Sequence, residues 1–133
     1  MILLDTHVLL WWQAGGERLS VRAAREIARA DTVLVSPISC WEVTMLLAKG
    51  RIVLDRDVHA WVSDLFAAEN IEPAELSPQA AVGAGLLASA GFPGDPADRF
   101  LYATARDLLV PLVTKDGGIR GYARRTGDVR TVW

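Results

Sequence analysis

The sequence has few of the residues from which soft-metal and redox centres are built. Cys40 is its one cysteine, and His7 and His59 are its two histidines. One thiol excludes an internal disulfide. It reads as a small buried apolar residue in a protein of the reducing cytoplasm. Two histidines far apart, with no cysteine set beside them, do not make the ligand spacing of a zinc site. His7 reads instead as a helix-start residue and His59 as a surface one. No apolar run is long enough to span a bilayer, so no membrane association is expected. The chain opens on Ile2-Leu3-Leu4 without a basic leader, so no signal peptide is expected. There is also no internal repeat, low-complexity segment or linker-like stretch to divide the chain.

A basic excess is missing too. Net charge is −2, which argues against a general nucleic-acid-binding protein. The cations are nevertheless concentrated. Residues 109–133 hold 5 Lys and Arg against 2 Asp and Glu, whereas residues 1–108 hold 9 against 14. Two readings stay open: a solvated face, or a basic quarter that meets phosphate while acids elsewhere hold a cation.

What the chain has in quantity is apolar surface to bury. With 133 residues, 51% of them hydrophobic, it is read as one domain spanning residues 1–133 with a substantial core. Short apolar runs at Met1–Leu4, Val33–Val35, Ile71–Leu76, Val110–Thr114 and Val129–Trp133 read as strands. Helical spacing covers Val8–Trp12, a helix opening at Ser20, Pro37–Ala48, Asp57–Glu69, Gln79–Ala90, a helix opening at Pro96, and Ile119–Arg125. Ser36-Pro37, Ser77-Pro78 and Asp95-Pro96 each pair a capping side chain with a first-turn proline. Strand–helix alternation predicts an α/β fold with a parallel sheet and right-handed crossovers.

The acids then stand out by position. Asp5 and Asp116 each follow an apolar strand, the edge at which parallel sheets bind ligands. Each is also a good helix cap or turn residue. Glu42 lies among Trp41, Val43, Met45, Leu46 and Leu47, where a carboxylate is costly unless paired or metal-bound. The alternative for Glu42 is an outward position or a pair with Arg51. Asp98 falls three residues after Asp95, so both acids share the positive end of one helix. Should these groups converge, their mutual repulsion requires protons or a cation. An all-oxygen set without His or Cys suits Mg²⁺, with Mn²⁺ as a substitute.

The chain resembles the PIN-domain family, and in particular the VapC kind of ribonuclease toxin from bacterial toxin–antitoxin modules. Four motifs in order carry the resemblance: Leu4-Asp5-Thr6-His7, Ser39-Cys40-Trp41-Glu42-Val43, Asp95-Pro96-Ala97-Asp98-Arg99 with Ala103-Thr104-Ala105, and Leu112-Val113-Thr114-Lys115-Asp116. The resemblance implies a three-layer α/β/α fold around a short parallel sheet and a Mg²⁺-dependent endoribonuclease. It implies Asp5, Glu42, Asp98 and Asp116 as the acidic quartet, with Asp5 and Asp98 the direct metal ligands. Asp116 and Glu42 then complete the metal shell through water or orient the attacking water. Asp95, Thr6 and Thr114 match supporting positions. The chain departs from many relatives at Pro93, Ala97 and Leu46. Arg99, Arg120, Arg124 and Arg125 are candidates for contact with the RNA backbone, although Arg99 could equally pair with a neighbouring acid. The resemblance further implies a homodimer and a small antitoxin that occludes the cleft. Trp11, Trp12, Trp41 and Trp61 fit this, because a chain this short is not expected to bury all four. The rival readings are a catalytically silent RNA- or protein-binding module and, with less support, a phosphatase using Asp5 as nucleophile. The latter wants an acid where His7 stands.

Overall fold

The computed structural model describes residues 1–133. Five short strands form one sheet: β1 (Ile2–Leu4), β2 (Val33–Val35), β3 (Ile71–Pro73), β4 (Leu112–Val113) and β5 (Thr131–Val132). Every pairing is parallel, and the spatial order is β3-β2-β1-β4-β5. The chain winds outward from β1 through β2 to β3, then returns to the other side of β1 for β4 and β5. The reversal therefore falls between β1 and β4. In such sheets the connections leaving the two strands diverge to opposite faces, and a crevice opens outside their carboxyl ends.

Seven helices cover the sheet: α1 (Thr6–Gln13), α2 (Val21–Arg29), α3 (Pro37–Ala48), α4 (Val58–Ala67), α5 (Pro78–Leu87), α6 (Pro96–Leu108) and α7 (Gly117–Thr126). Side chains alternate across a strand, so each strand feeds two cores. Ile2, Leu4, Val33, Val35, Val113 and Val132 pack with Val8, Leu9, Ile27, Trp61 and Leu65 of α1, α2 and α4. Leu3, Leu34 and Leu112 point the other way, into Ala84, Leu87, Tyr102, Ala103, Ile119 and Tyr122 of α5, α6 and α7. The result is the predicted α/β/α layering around a parallel sheet.

The predicted caps are present. Ser20, Ser36, Ser77 and Asp95 accept hydrogen bonds from first-turn N–H groups, and Pro37, Pro78 and Pro96 occupy first turns. Several elements are shorter than their apolar runs. Ile71–Leu76 yields only Ile71–Pro73, with a last bond to β2 from the Ala74 N–H to Val35 O at 2.9 Å; Pro73 sits where an edge strand tolerates proline, its missing N–H facing away from β2. Val110–Thr114 contracts to β4 because Leu109 closes α6 in the left-handed conformation (φ 56°) and the Val110 N–H bonds back to Ala105 O at 3.1 Å. Val110 thus belongs to the helix end rather than to the strand. The helix predicted to Ala90 stops at Leu87, where Ser89 and Ala90 tighten to three-residue turns on Leu86 and Leu87. The first helix starts earlier than Val8, at Thr6, directly after Asp5.

A polar clamp holds α6 to the end of α7. The buried Tyr102 hydroxyl donates to Asp128 at 2.5 Å, and Arg106 pairs with the same carboxylate at 3.2 Å. Burial alone would raise the Asp128 pKa. The hydrogen bonds from Thr126, Tyr102 and Arg106 outweigh it and hold the group below the usual carboxylate range.

Candidate active site

Asp5, Glu42, Asp98 and Asp116 arrive on four different elements and line one cavity of about 360 Å³, together with Asp95, His7, Trp11 and Lys115. Asp5 ends β1 and Asp116 follows β4, so both stand at the crevice where the sheet order reverses. Glu42 comes from the middle of α3 and Asp98 from the first turn of α6.

Each acid is held differently. Asp5 occupies the N-cap position of α1, yet its side chain makes no capping bond. It accepts instead from the Thr114 hydroxyl at 2.7 Å. The same hydroxyl accepts the Asp116 N–H at 3.1 Å, so one buried threonine ties the two strand ends together. Burial pushes the Asp5 carboxyl above its ordinary pKa, the Thr114 bond opposes this, and Asp116 adds a small repulsion. Asp116 does cap its helix, accepting from the Ile119 N–H at 2.9 Å. The turn reading and the cleft position are therefore both true of it. Thr6 is fully buried beneath the cleft and shares a 2.9 Å hydrogen bond with Ser39, which fixes α1 against α3 one turn before Glu42.

Asp95 and Asp98 form a reciprocal capping box. The Asp98 N–H donates to Asp95 Oδ1 (3.0 Å) and the Asp95 N–H to Asp98 Oδ2 (3.2 Å). Burial, reinforced by Asp5, Asp95 and Glu42, pushes Asp98 up to about 8. Glu42 is half-buried and in no ion pair, with Arg51 or any other cation. Its Oε1 is buried without a hydrogen-bond partner. Burial first raises its pKa, the Thr6 side chain opposes the rise, and the charges of Asp95 and Asp5 add to it. A buried acceptor with nothing to accept is costly. Asp5, Glu42 and Asp98 are all raised, burial being the largest cause in each and neighbouring carboxylates adding to it.

Gly94 sets how closely α6 approaches. A Cβ there would lie 2.5 Å from the Phe92 ring and 2.6 Å from Asp98 Cβ. Phe92 cannot yield, because it is buried against Tyr102 and Tyr122 at centroid distances of 5.0 and 5.2 Å. Gly94→Ala is expected to destabilise the protein by about 1–3 kcal/mol, as overpacking does. A urea midpoint equal to wild type would refute the close approach.

The arginines proposed from sequence are less central. None lines the cavity. Arg99 makes no ion pair, and its Nε is buried without a partner. Arg124 lies eight residues along α7 from Asp116, about 12 Å at the helical rise. Arg125 stacks over Tyr122 at 5.7 Å. Of the tryptophans, Trp61 is buried, Trp11 and Trp12 are partly so, and Trp41 is 55% exposed.

The profile of the PIN domain matches residues 2–125. The chain belongs to the PIN-domain family. The matched span of this PIN domain contains all four cleft acids. A curated relative, Ribonuclease VapC22 of Mycobacterium tuberculosis, is 42% identical over 132 residues, covering 99% of this chain and 98% of the relative. Among solved structures, VapBC-1 of nontypeable Haemophilus influenzae superposes with TM-score 0.66 at 18% identity, covering 98% of this chain and 96% of that one. VapBC2 of Rickettsia felis, bound to a DNA fragment from its promoter, superposes with TM-score 0.67 at 17% identity, covering 98% and 97%. These two likenesses concern the fold.

Three residues of this PIN domain line the cleft without having been singled out for it: His7, Trp11 and Lys115. His7 and Trp11 are four apart on α1 and share a face. Lys115 adjoins Asp116. That spacing was the available signal, but an i, i+4 pair says nothing about which cavity it faces until the helix is docked.

Proposed function

We propose that this chain is a metal-dependent endoribonuclease, the toxin of a toxin–antitoxin pair, hydrolysing RNA phosphodiester bonds with Mg²⁺ and accepting Mn²⁺. The observation that carries the reading is the set of four carboxyls from four elements in one cavity; three of them, Asp5, Glu42 and Asp98, are raised by burial and neighbouring charge, and Glu42 among these three has an orphaned buried oxygen. The name of the curated relative, a ribonuclease VapC, agrees with it.

The donor set fits a hard cation. It is all oxygen, and the unpartnered Glu42 Oε1 points to a group that binds there. No three acidic side chains stand ready at the spacing of a complete metal shell. Mg²⁺ does not require that, since it keeps most of its waters and takes one or two carboxylates. Asp5 and Asp98 would hold the ion, with Asp116 and Glu42 completing its surroundings through water. When bound, the ion stabilises charge on non-bridging phosphate oxygens and acidifies a coordinated water.

The chain's own residues supply the rest. Thr114 holds Asp5 in place, and the capping box holds Asp98. Glu42, with its raised pKa and its unpartnered Oε1, is placed to take the proton of the attacking water. Lys115 at the rim offers a charge to phosphate. Arg99, Arg120, Arg124 and Arg125 would contact RNA backbone beyond the cleft. A silent binding module would have no use for four carboxyls gathered against their mutual repulsion.

On this reading a single domain, residues 1–133, acts in the cytoplasm on RNA. A small cognate antitoxin would insert a cation, such as arginine, among the acids. Exposed apolar side chains at Trp41 and Met45 on α3, and Val82 and Leu86 on α5, would serve a homodimer. The test is incubation of single-stranded RNA with antitoxin-free protein. Cleavage is expected with Mg²⁺ or Mn²⁺ and none after EDTA. Undiminished cleavage under EDTA would sink the metal assignment, and inertness towards every RNA would sink the enzyme.

A further inference from the structure

Glu42 is the least constrained of the cleft acids. Asp5 is held by Thr114, Asp116 by its helix cap and Asp98 by the capping box. Glu42 Oε1 has no partner, and the side chain that bears on the carboxyl is that of Thr6. Where Glu42 stands therefore depends on how α3 is docked. Ser39 and Val43 are the two buried residues of that helix, while Trp41 and Met45 are exposed. Val43 packs into the core, but apolar contact has no direction and tolerates small rotations of a helix. Ser39 supplies the direction. Its Oγ lies 2.9 Å from Thr6 Oγ1, with both residues fully buried. No other side-chain hydrogen bond or ion pair joins α3 to α1. Thr6 directly follows Asp5. Ser39 precedes Glu42 by three residues, on the same side of the helix and about 4.5 Å along its axis. Stability does not call for hydroxyls at this point. A facing valine and alanine would fill nearly the same space with no polar atom to satisfy, a swap close to neutral. What the hydroxyl pair supplies and an apolar pair lacks is a set distance and angle.

Resting on the ribonuclease reading, we propose that Ser39 is a positioning residue for the reaction. Bonded to Thr6, it fixes Glu42 relative to Asp5 and so sets the gap in which a divalent cation and its waters sit. Ser39 acts through others, because it is fully buried and does not line the cavity. Thr114 does the corresponding work between Asp5 and Asp116. Two buried hydroxyl ties thus place three acids that arrive on β1, on α3 and after β4. Mg²⁺ is exacting about the geometry of its surroundings. A small rotation of α3 is therefore felt in cation affinity and in rate, on the scale of about ten-fold or more that groups behind metal ligands command.

The test separates positioning from stability. Mn²⁺ is titrated by electron paramagnetic resonance into RNA-free, antitoxin-free protein, urea midpoints are measured in EDTA, and kcat and KM are taken on single-stranded RNA at saturating Mg²⁺. Ser39→Ala strands the buried Thr6 hydroxyl and is expected to lower the urea midpoint. Ser39→Ala combined with Thr6→Val strands nothing and is expected to recover most of that loss. Mn²⁺ affinity is expected to behave otherwise, weakened about ten-fold in the single variant and equally in the double. In both, kcat falls by a similar factor with KM for RNA little moved. Thr6→Ser keeps the hydroxyl and should hold Mn²⁺ nearly as tightly as wild type. A double variant that recovers wild-type Mn²⁺ affinity along with its stability would overturn the proposal and leave the pair a packing contact. So would a Thr6→Ser variant that binds Mn²⁺ as weakly as the double. A wild-type protein that never cleaves RNA, but whose Mn²⁺ affinity drops in the double variant, would support the positioning role and remove the ribonuclease reading instead.

Discussion

Asp98→Asn is expected to lower RNA cleavage by on the order of 10²–10³-fold or more while making the metal-free protein more stable at pH 8. On the proposed function, the loss follows from removing one of the two carboxylates that would hold the cation, an electrostatic contribution of the kind worth that much in a water-poor site. The gain follows from the carboxyl's position. Asn keeps an oxygen to accept the Asp95 N–H, so the capping box survives. What disappears is a charge pushed to about 8 by burial and by Asp5, Asp95 and Glu42. A carboxyl whose folded pKa is above its unfolded value stabilises the fold when protonated, and that stabilisation fades as pH rises from about 3.8 to about 8. Because Asp98 is only partly buried, solvent screening discounts the effect to about 1–3 kcal/mol at pH 8. Urea unfolding in EDTA should therefore show wild type gaining stability on acidification from pH 8 towards pH 5, and the variant changing less. Asp128 works in the opposite sense. Its depressed pKa contributes stability above pH 3.8 that is lost as pH falls below that value. A divalent cation should raise the wild-type midpoint and leave the variant's nearly unmoved. A variant that cleaves at wild-type rate, or is less stable at pH 8, would contradict the ligand assignment. Asp5→Asn is expected to lose cleavage equally.

Thr114→Val is expected to damage both stability and chemistry while leaving all four cleft acids in the sequence. The Thr114 hydroxyl is fully buried, donates to Asp5 Oδ2 at 2.7 Å and accepts the Asp116 N–H at 3.1 Å. Valine fills nearly the same volume but supplies neither bond. Losing a hydrogen bond to a buried carboxylate and stranding a backbone donor costs about 2–4 kcal/mol. It also removes the interaction that opposes the burial-driven rise in the Asp5 pKa. The carboxyl then holds its proton to higher pH, so the acid limb of the cleavage profile should move to higher pH. Thr114→Ser keeps the hydroxyl and should restore both. A valine variant with lowered stability but an unshifted profile would confine Thr114 to a structural role.

The strand-to-acid transitions at Asp5 and Asp116 were legible because a short apolar run ending on Asp is a local signal. So was the Asp95-Pro96 helix start, which resolves into a capping box. The ambiguity at Glu42 was not resolvable locally. Its apolar neighbours were visible, but an acid on an all-round apolar helix can face a cleft, a partner or a cation. Only the docking of α3 beside α1 and α6 selects the cleft and leaves Oε1 unpartnered. The basic C-terminal quarter was misleading in emphasis. Charge counts along the chain ignore that α7 carries Arg124 and Arg125 away from Asp116. The one cation that lines the cavity with the acids, Lys115, was inconspicuous in sequence.

By itself the sequence determined which segments are strands and helices, where most helices begin, and which four acids are exceptional. Those are local matters of periodicity, capping and the cost of a charge among apolar neighbours. Tertiary structure decided the order of strands, and with it that β1 and β4 lie side by side with their following acids at one crevice. It also decided that Thr114, more than a hundred residues from Asp5, would be the group that holds it. The reason is that parallel pairing joins strands distant in the chain, and no local pattern states which neighbours a buried strand will take.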